Sequence, residues 1–304
     1  MQIAVTGGSG FLGRYLIDRL LNDETNQVRA WSRHPHQQKQ HARLEWIEGQ
    51  LGDEQATTGL VKGCDAVVHC ALSRSGGFMD HPEDPVGYFQ INGTGSLALI
   101  ETARVHGVER FVFVSSGAVH QHVLPNHALD ETHPQHPMSM YGVAKASVES
   151  MIHAYGLTGK LNCCTVRPPS IYGTASPVEQ SKWFHLIQQI KSGQDVEATG
   201  GSKTVHADDV CTAIQLLLTT DEEVAGETFN CCDRMISDWE VAHIAKRILD
   251  SASRINGQAK QAKHAIVTDK IESLGLSFGG TPKLEATITE IAAQPSSTLR
   301  LRGS

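Results

Sequence analysis

TGGSGFLG, from Thr6 to Gly13, is the stretch that decides the fold. The apolar run Gln2 to Val5 precedes it, and Leu12, Leu16, Leu20 and Leu21 follow at helical spacing, so the glycines join a strand to a helix. Gly7 suits a tight turn, Gly10 lets the backbone approach a pyrophosphate, and Gly13 lets helix and strand pack closely. The helix N-terminus adds N–H groups and a positive dipole. Turns collect glycine for other reasons too, so the placement between first strand and first helix is what predicts dinucleotide binding, with Phe11 and Leu12 opening the helix beside the cofactor.

Working outward, further strands fit Val28 to Trp31, Leu44 to Ile47, Ala66 to Cys70, Phe111 to Val114 and Asn162 to Val166, with helix-length segments between most of them. That alternation predicts an α/β fold, a doubly wound parallel sheet of six or more strands. Val86 to His106 reads as one long helix and Tyr141 to Tyr155 as another. After Pro168 the pattern turns irregular, with helices expected at Trp183 to Lys191, Asp208 to Thr219 and Asp238 to Leu249, and a strand at Thr228 to Asn230. The expected organisation is a dinucleotide-binding domain over 1–168 with 205–232 returning to it. A smaller substrate-binding lobe would comprise 169–204 and 233–295, with 296–304 a flexible tail.

NAD enzymes commonly end the second strand on an acid that binds ribose; Ser32 and Arg33 stand there instead. A guanidinium grips phosphate through parallel hydrogen bonds, so NADP is favoured over NAD, with Arg14 a candidate second contact. Against that stands a solvated arginine at a strand end. Tyr141 and Lys145, in YGVAK, lie four apart on one helix face. A phenol with pKa near ~10 shuttles protons at neutral pH only if nearby positive charge favours the phenolate. Most Y-x-x-x-K pairs are surface helix pairs, but here Ser115 and Ser116 follow the strand FVFV at the edge where open parallel sheets bind ligands.

These segments together resemble the NAD-dependent epimerase/dehydratase family, the extended branch of the short-chain dehydrogenases with a Rossmann-type fold. The resemblance runs from residue 1 to about 290 through TGGSGFLG, VVHCA (Val67 to Ala71), INGTGSL (Ile91 to Leu97), VSSGAV, YGVAK, RPPSIYG (Arg167 to Gly173), VHADDV (Val205 to Val210) and GETFN (Gly226 to Asn230). It implies that Tyr141 is the acid/base, that Lys145 lowers its pKa and holds the nicotinamide ribose, and that Ser116 hydrogen-bonds the reacting oxygen. It further implies that backbone at Cys70 and Ala71 lines the cofactor, that Pro168 and Ser170 flank the nicotinamide amide, and that Asn92 is a structural or relay residue. His206 and Asp208 would be structural. Helices 86–106 and 141–155 commonly pair in the family, so a homodimer is expected.

Five positions depart from the family pattern. Gln50, before Leu51, replaces the aspartate that contacts adenine, though its amide still suits that base. Gly117 and Ala118 replace the acidic pair of the dehydratases, so dehydration is disfavoured. Ser202, beside Lys203, replaces the arginine that grips a nucleotide-sugar diphosphate, and Ser170 replaces the asparagine of R-P-x-N.

Composition narrows the rest. A net charge of -7 with scattered lysines and arginines argues against nucleic acid as a partner, and no apolar stretch approaches the ~20 residues of a membrane span. Seven cysteines, an odd number without C-x-x-C, fit a reducing cytoplasm, and the 16 histidines lack metal-ligand spacing, so no metal is expected. The leading expectation is an NAD(P)-dependent oxidoreductase or epimerase acting on a small molecule with a hydroxyl or carbonyl. Alternatives are a nucleotide-sugar epimerase with retained NAD, and a non-catalytic dinucleotide sensor, against which the intact Ser116, Tyr141 and Lys145 argue.

Overall fold

The computed structural model describes residues 1–74, 76–77 and 80–294. The expected tail at 296–304 lies outside the described residues. Two compact units form, one from Met1–Pro169, Ala207–Cys232 and Ile266–Ser277, the other from Ser170–His206, Asp233–Ala265 and Phe278 onward.

The first unit is built on a seven-stranded sheet. Its strands are β1 (Gln2–Thr6), β2 (Gln27–Ser32), β3 (Leu44–Glu48), β4 (Ala66–His69), β5 (Arg110–Val114), β6 (Cys163–Arg167) and, later in the chain, β10 (Thr228–Asn230). Their order is β10-β6-β5-β4-β1-β2-β3, every pair parallel, as the alternating pattern requires. β4 is buried at all four positions, which explains why central strands read as continuous apolar runs rather than alternating ones. Helices α1 (Phe11–Leu21), α2 (Glu54–Val61), α3 (Pro85–Phe89), α4 (Gly95–Val105), α5 (Met140–Leu157), α7 (Ala207–Thr219) and α9 (Asp269–Ser273) belong to this unit. Arg19 of α1 pairs with Asp208 of α7 at 2.5 Å.

Two expectations need correction. The helix read as continuous from Val86 to His106 contains a wide π turn at Gln90–Thr94 between α3 and α4. Such turns concentrate at functional sites, and this one contains Asn92. Residues 266–277, assigned to the small lobe, join the first unit instead. Ile266 bridges to Leu129, the Asn230 side chain donates to Val267 O at 3.1 Å, and Lys270 donates to Thr228 O at 2.9 Å.

The second unit holds β7 (Ser170–Tyr172), β9 (Gly201–His206) and β11 (Arg234–Ser237) in one small sheet, and β8 (Val196–Ala198) with β12 (Ile255–Gly257) in another. Its helices α6 (Phe184–Lys191), α8 (Asp238–Leu249) and α10 (Gly280–Ala293) close on a core that includes Ile187, Ile190, Val241, Leu284 and Ile288. His206 stands edge-on to Tyr172 there, ring centres 5.0 Å apart.

Candidate active site

Most residues singled out by sequence gather at one edge of the large sheet, just past the carboxyl ends of its strands. Gly7 follows β1, Ser32 ends β2 and Arg33 follows it, Gln50 follows β3, Cys70 and Ala71 follow β4, Ser116 follows β5 and Pro168 follows β6. Strand order reverses between β1 and β4, and ligands bind at such reversal points.

The glycine turn is shaped for a backbone-hugging anion. Gly7 has φ +71°, and a Cβ there would lie 2.9 Å from Ala71 N and Cys70 C. A Cβ on Gly13 would come within 2.2 Å of Gly7 O, so helix and turn could not close. At Gly10 the only such neighbour is Gly7 O at 3.1 Å, and the space ahead is otherwise open. The turn therefore fits a dinucleotide pyrophosphate at the start of α1. Phe11, partly exposed, stands edge-on to Tyr15 with 5.5 Å between ring centres, Leu12 is half-buried, and Arg14 Nε donates to Ser9 O at 3.1 Å.

Beyond the turn lies a groove of about 580 Å³ lined by Arg33, Glu48, Gln50, Asp53 and Gln55, among others. Arg33 is exposed and makes no hydrogen bond or ion pair among the described residues, while the buried Ser32 hydroxyl accepts from His34 N at 3.0 Å. Leu51 has its side chain in the core with Trp31, Leu60 and Leu99, so it meets a ligand only through its backbone.

The other end of the site is organised by α5. Ser139 caps the helix, accepting from Gly142 N at 3.1 Å, and its own hydroxyl donates to Gln121 Oε1 at 3.1 Å. Tyr141 is thus held in the first turn, with its phenol hydrogen-bonded to Ser116. The Ser116 hydroxyl also accepts from Ala118 N at 3.1 Å, whereas the Ser115 hydroxyl is buried without a partner among the described residues. One turn along, Lys145 is only 6% exposed, its Nζ donating to Val114 O at 2.7 Å and lying 4.7 Å from the Phe113 ring centre. Glu149 receives Arg167 through two bonds of 3.1 and 2.6 Å, a buried fork that fixes α5 against β6. Pro168 O accepts from Gly117 N at 2.8 Å, joining the ends of β5 and β6. Ser170 belongs to the second unit, where its hydroxyl accepts from Lys182 Nζ at 2.6 Å.

Burial pushes the Tyr141 phenol above its ordinary 10, while the Ser116 hydrogen bond and the Arg74 charge act the other way. Burial lowers Lys145 from 10.5 to about 8 against the pull of Cys70 and Glu149. The Arg74 guanidinium is thus one cation acting on the phenol. Sequence reasoning missed Arg74, which carries no motif; with Leu72, Asp80, Pro82 and Tyr88 it lines a recess shared with Tyr141. Ser139 was missed as well, although a serine directly before a helix is a capping signal that could have found it.

A buried chain of hydrogen bonds sits under the site, and its proton directions can be worked out. Ala71 N–H donates to Thr6 Oγ1 at 3.1 Å, and Ser96 Oγ donates to Asn92 O at 2.5 Å. Between them His69 bonds Thr6 Oγ1 through Nδ1 at 2.8 Å and Ser96 Oγ through Nε2 at 2.9 Å. Since the Ser96 proton is committed to Asn92, His69 Nε2–H donates to Ser96. Burial, with the Lys145 charge, lowers the ring's pKa to about 3, so the imidazole is neutral and Nδ1 accepts from Thr6. The Asn92 side chain accepts from Ser73 N at 2.8 Å and donates to Ser73 O and Tyr88 O, both at 3.0 Å. The π turn and the loop after β4 are thereby held together.

Residues 3–232 match the NAD dependent epimerase/dehydratase family. This chain belongs to that family. Among its relatives, a 3 beta-hydroxysteroid dehydrogenase/Delta 5→4-isomerase of Mycobacterium tuberculosis is 30% identical over 212 residues, 68% of this chain and 56% of the relative. A 2-alkyl-3-oxoalkanoate reductase of Stenotrophomonas maltophilia is 31% identical over 198 residues, 64% of this chain and 57% of the relative. The chain thus spans little more than half the length of these curated relatives. The UDP-glucuronic acid 4-epimerase of Bacillus cereus, solved with UDP-glucuronic acid and NAD, overlays with a TM-score of 0.79 at 22% identity, covering 96% of this chain and 99% of that one. At that identity the likeness is one of fold.

Gly117 and Ala118 open the short helical turn after Ser116. Among the described residues no three His, Cys, Asp or Glu side chains gather as a metal site, and no helix is long and apolar enough to cross a membrane. None of the seven cysteines forms a disulfide among the described residues.

Proposed function

We propose that this family member catalyses NAD(P)-dependent hydride transfer at a carbon bearing a hydroxyl or carbonyl, through Ser116, Tyr141 and Lys145. The observation that carries the reading is the Ser116–Tyr141 hydrogen bond at the carboxyl edge of the sheet, one helical turn from a buried lysine. Gly7, Gly10 and Gly13 would hold a dinucleotide's pyrophosphate, Gln50 and the Leu51 backbone its adenine, and Cys70, Ala71 and Pro168 its remaining length. When bound, that cofactor supplies or accepts the hydride.

The chain's own residues manage the proton. Tyr141 exchanges it with the substrate oxygen, and Ser116, whose hydroxyl is oriented by Ala118 N–H, hydrogen-bonds that oxygen. Lys145 has one proton committed to Val114 O and two left for the ribose side of the site. Arg74 favours the phenolate when Tyr141 has given up its proton.

NADP over NAD is part of this reading, because Arg33 is unengaged at the groove; Glu48 and Asp53 in the same groove oppose a phosphate there. The second unit is read as the substrate-binding part and the cytoplasm as the location, in keeping with seven cysteines that form no disulfide among the described residues. A homodimer through α3, α4 and α5 accords with the exposed Val86, Val105 and Leu157. A nucleotide-sugar epimerase with retained NAD is the second reading, and the overlay with such an epimerase supports it at the level of fold. Dinucleotide titration followed by turnover on a carbonyl and sugar panel tests the proposal. Cofactor release with net oxidation or reduction is expected; tight binding without turnover on any compound would indicate a sensor instead.

A further inference from the structure

Between Ser116 and Tyr141 the chain makes an excursion and returns alongside itself. His136 N donates to Val119 O at 2.9 Å and His122 N to His136 O at 3.2 Å, so the turn after Ser116 and the approach to α5 run side by side. Within the excursion His120 Nε2 donates to His133 O at 3.1 Å. The last step before α5 is closed by a side chain. Gln121, which ends the turn after Ser116, has an amide oxygen that accepts from Met138 N at 2.5 Å and from the Ser139 hydroxyl at 3.1 Å.

Both lone pairs of that oxygen are therefore in use. Ser139 gives its one hydroxyl proton to Gln121, which leaves its oxygen to accept Gly142 N and cap α5. Tyr141 stands in the capped turn, and from there its phenol meets Ser116. The packing leaves little slack. A Cβ on Gly142 would lie 2.6 Å from Ala118 O and 3.0 Å from Gln121 Oε1, and one on Gly117 would lie 3.3 Å from Pro169 Cα. Ser116 is fixed from its own side, its hydroxyl accepting from Ala118 N at 3.1 Å. Ser116 and Tyr141 are thus anchored to separate stretches of chain, and Gln121 joins the two stretches through one atom.

We propose that Gln121 is a positioning residue for the Ser116–Tyr141 pair, its amide oxygen holding the first turn of α5 where the phenol reaches the Ser116 hydroxyl. This role rests on the hydride-transfer reading, in which Tyr141 exchanges a proton with an oxygen that Ser116 also touches; Gln121 acts through those two residues. Without the amide oxygen, Met138 N–H would turn to water and the Ser139 proton would lose its partner, so the cap and the phenol behind it would drift from Ser116. A small drift is enough, because hydrogen bonds weaken steeply off line and a misplacement of ~1 Å at a reacting centre can cost roughly 100-fold in rate.

The phenol itself reports the outcome. In the full chain with 3,5-difluorotyrosine in place of Tyr141, a more acidic phenol titrates below the usual tyrosine range and its fluorine NMR signal follows the ionisation. The Ser116 bond favours the phenolate, so losing it should move the midpoint up. Gln121→Met, which keeps the length and removes the oxygen, should raise the midpoint by roughly half a pH unit or more. Gln121→Asn, whose amide falls one methylene short, should do the same and carries the test if the first variant does not fold. Ser116→Ala should also raise the midpoint, and adding Gln121→Met to it should raise it no further, because the bond through which Gln121 acts is already gone. Dinucleotide affinity should stay within a few fold of the parent throughout. An unmoved midpoint in both folded Gln121 variants, or shifts that add in the double variant, would overturn the assignment. The titration needs no substrate, which separates the two proposals. The expected pattern of shifts in a parent that turns over no compound would sink the hydride-transfer reading alone, and an unmoved midpoint in an active enzyme would sink this one alone.

Discussion

Lys145→Met should stabilise the protein while removing its proposed chemistry. Lys145 is deeply buried, and its pKa falls from 10.5 to about 8, so the fold disfavours the ammonium. At ~1.4 kcal/mol per unit, that amounts to something on the order of 3 kcal/mol near neutral pH. Methionine carries no charge to desolvate, but it forfeits the bond to Val114 O, roughly 1 to 2 kcal/mol. The variant should therefore gain about 1 to 2 kcal/mol near neutral pH, read by urea denaturation. The pH dependence has a definite sign. Between about 8 and 10.5 the unfolded chain holds a proton at Lys145 that the native chain has released, so native stability rises with pH across that window. The variant lacks this rise, and its advantage should shrink as pH climbs from 8 toward 10.5. Lys182, lowered to about 8 in the same way, is present in both proteins and cancels in the difference. A variant several kcal/mol less stable near neutral pH, or a stability difference flat across the window, would refute the burial argument.

Further outcomes follow from the glycine turn, the groove and the buried chain. Gly10→Val should fold and lose dinucleotide affinity, whereas Gly13→Val, with its Cβ 2.2 Å from Gly7 O, should lose the fold's stability as well; circular dichroism with dinucleotide titration separates the two. Arg33→Ala should weaken NADPH by roughly 1.5 to 3 kcal/mol and NADH hardly at all, and equal losses in calorimetric titrations would remove the NADP preference. His69, neutral with a folded pKa of about 3 against 6.5 unfolded, should make stability fall with acid below 6.5, since the unfolded chain binds a proton that the native chain refuses. His69→Gln should flatten that limb of the pH–stability curve, and an unchanged limb would mean that His69 is not its source.

The sheet was legible because its strands are short apolar runs closed by turn residues, and Thr6 to Gly13 places the first crossover. Tyr141, Lys145 and Ser116 were legible for a different reason: spacing on a helix and position after a strand suffice to bring them together. The π turn at Gln90–Thr94 was not, since one widened turn barely disturbs a hydrophobic period. Nor was the return of Ile266–Ser277 to the first unit, which depends on single contacts to Leu129, Asn230 and Thr228. Arg74 and Gln121 gain importance only from what the fold places beside them: a phenol in one case, the Met138 amide and the Ser139 hydroxyl in the other. His69 could be read as an apolar-run member of VVHCA, but its tautomer follows only from burial and the commitment of the Ser96 proton to Asn92.

The central claim is that Tyr141 moves the proton that accompanies each hydride, and turnover by Tyr141→Phe on a substrate found in the panel tests it most directly. The substitution keeps the ring and removes the hydroxyl bonded to Ser116. Turnover should fall by roughly 100-fold or more while dinucleotide affinity stays near that of the parent, and the rising limb of the oxidative pH–rate profile should disappear. Near-normal turnover with that limb intact would contradict the account.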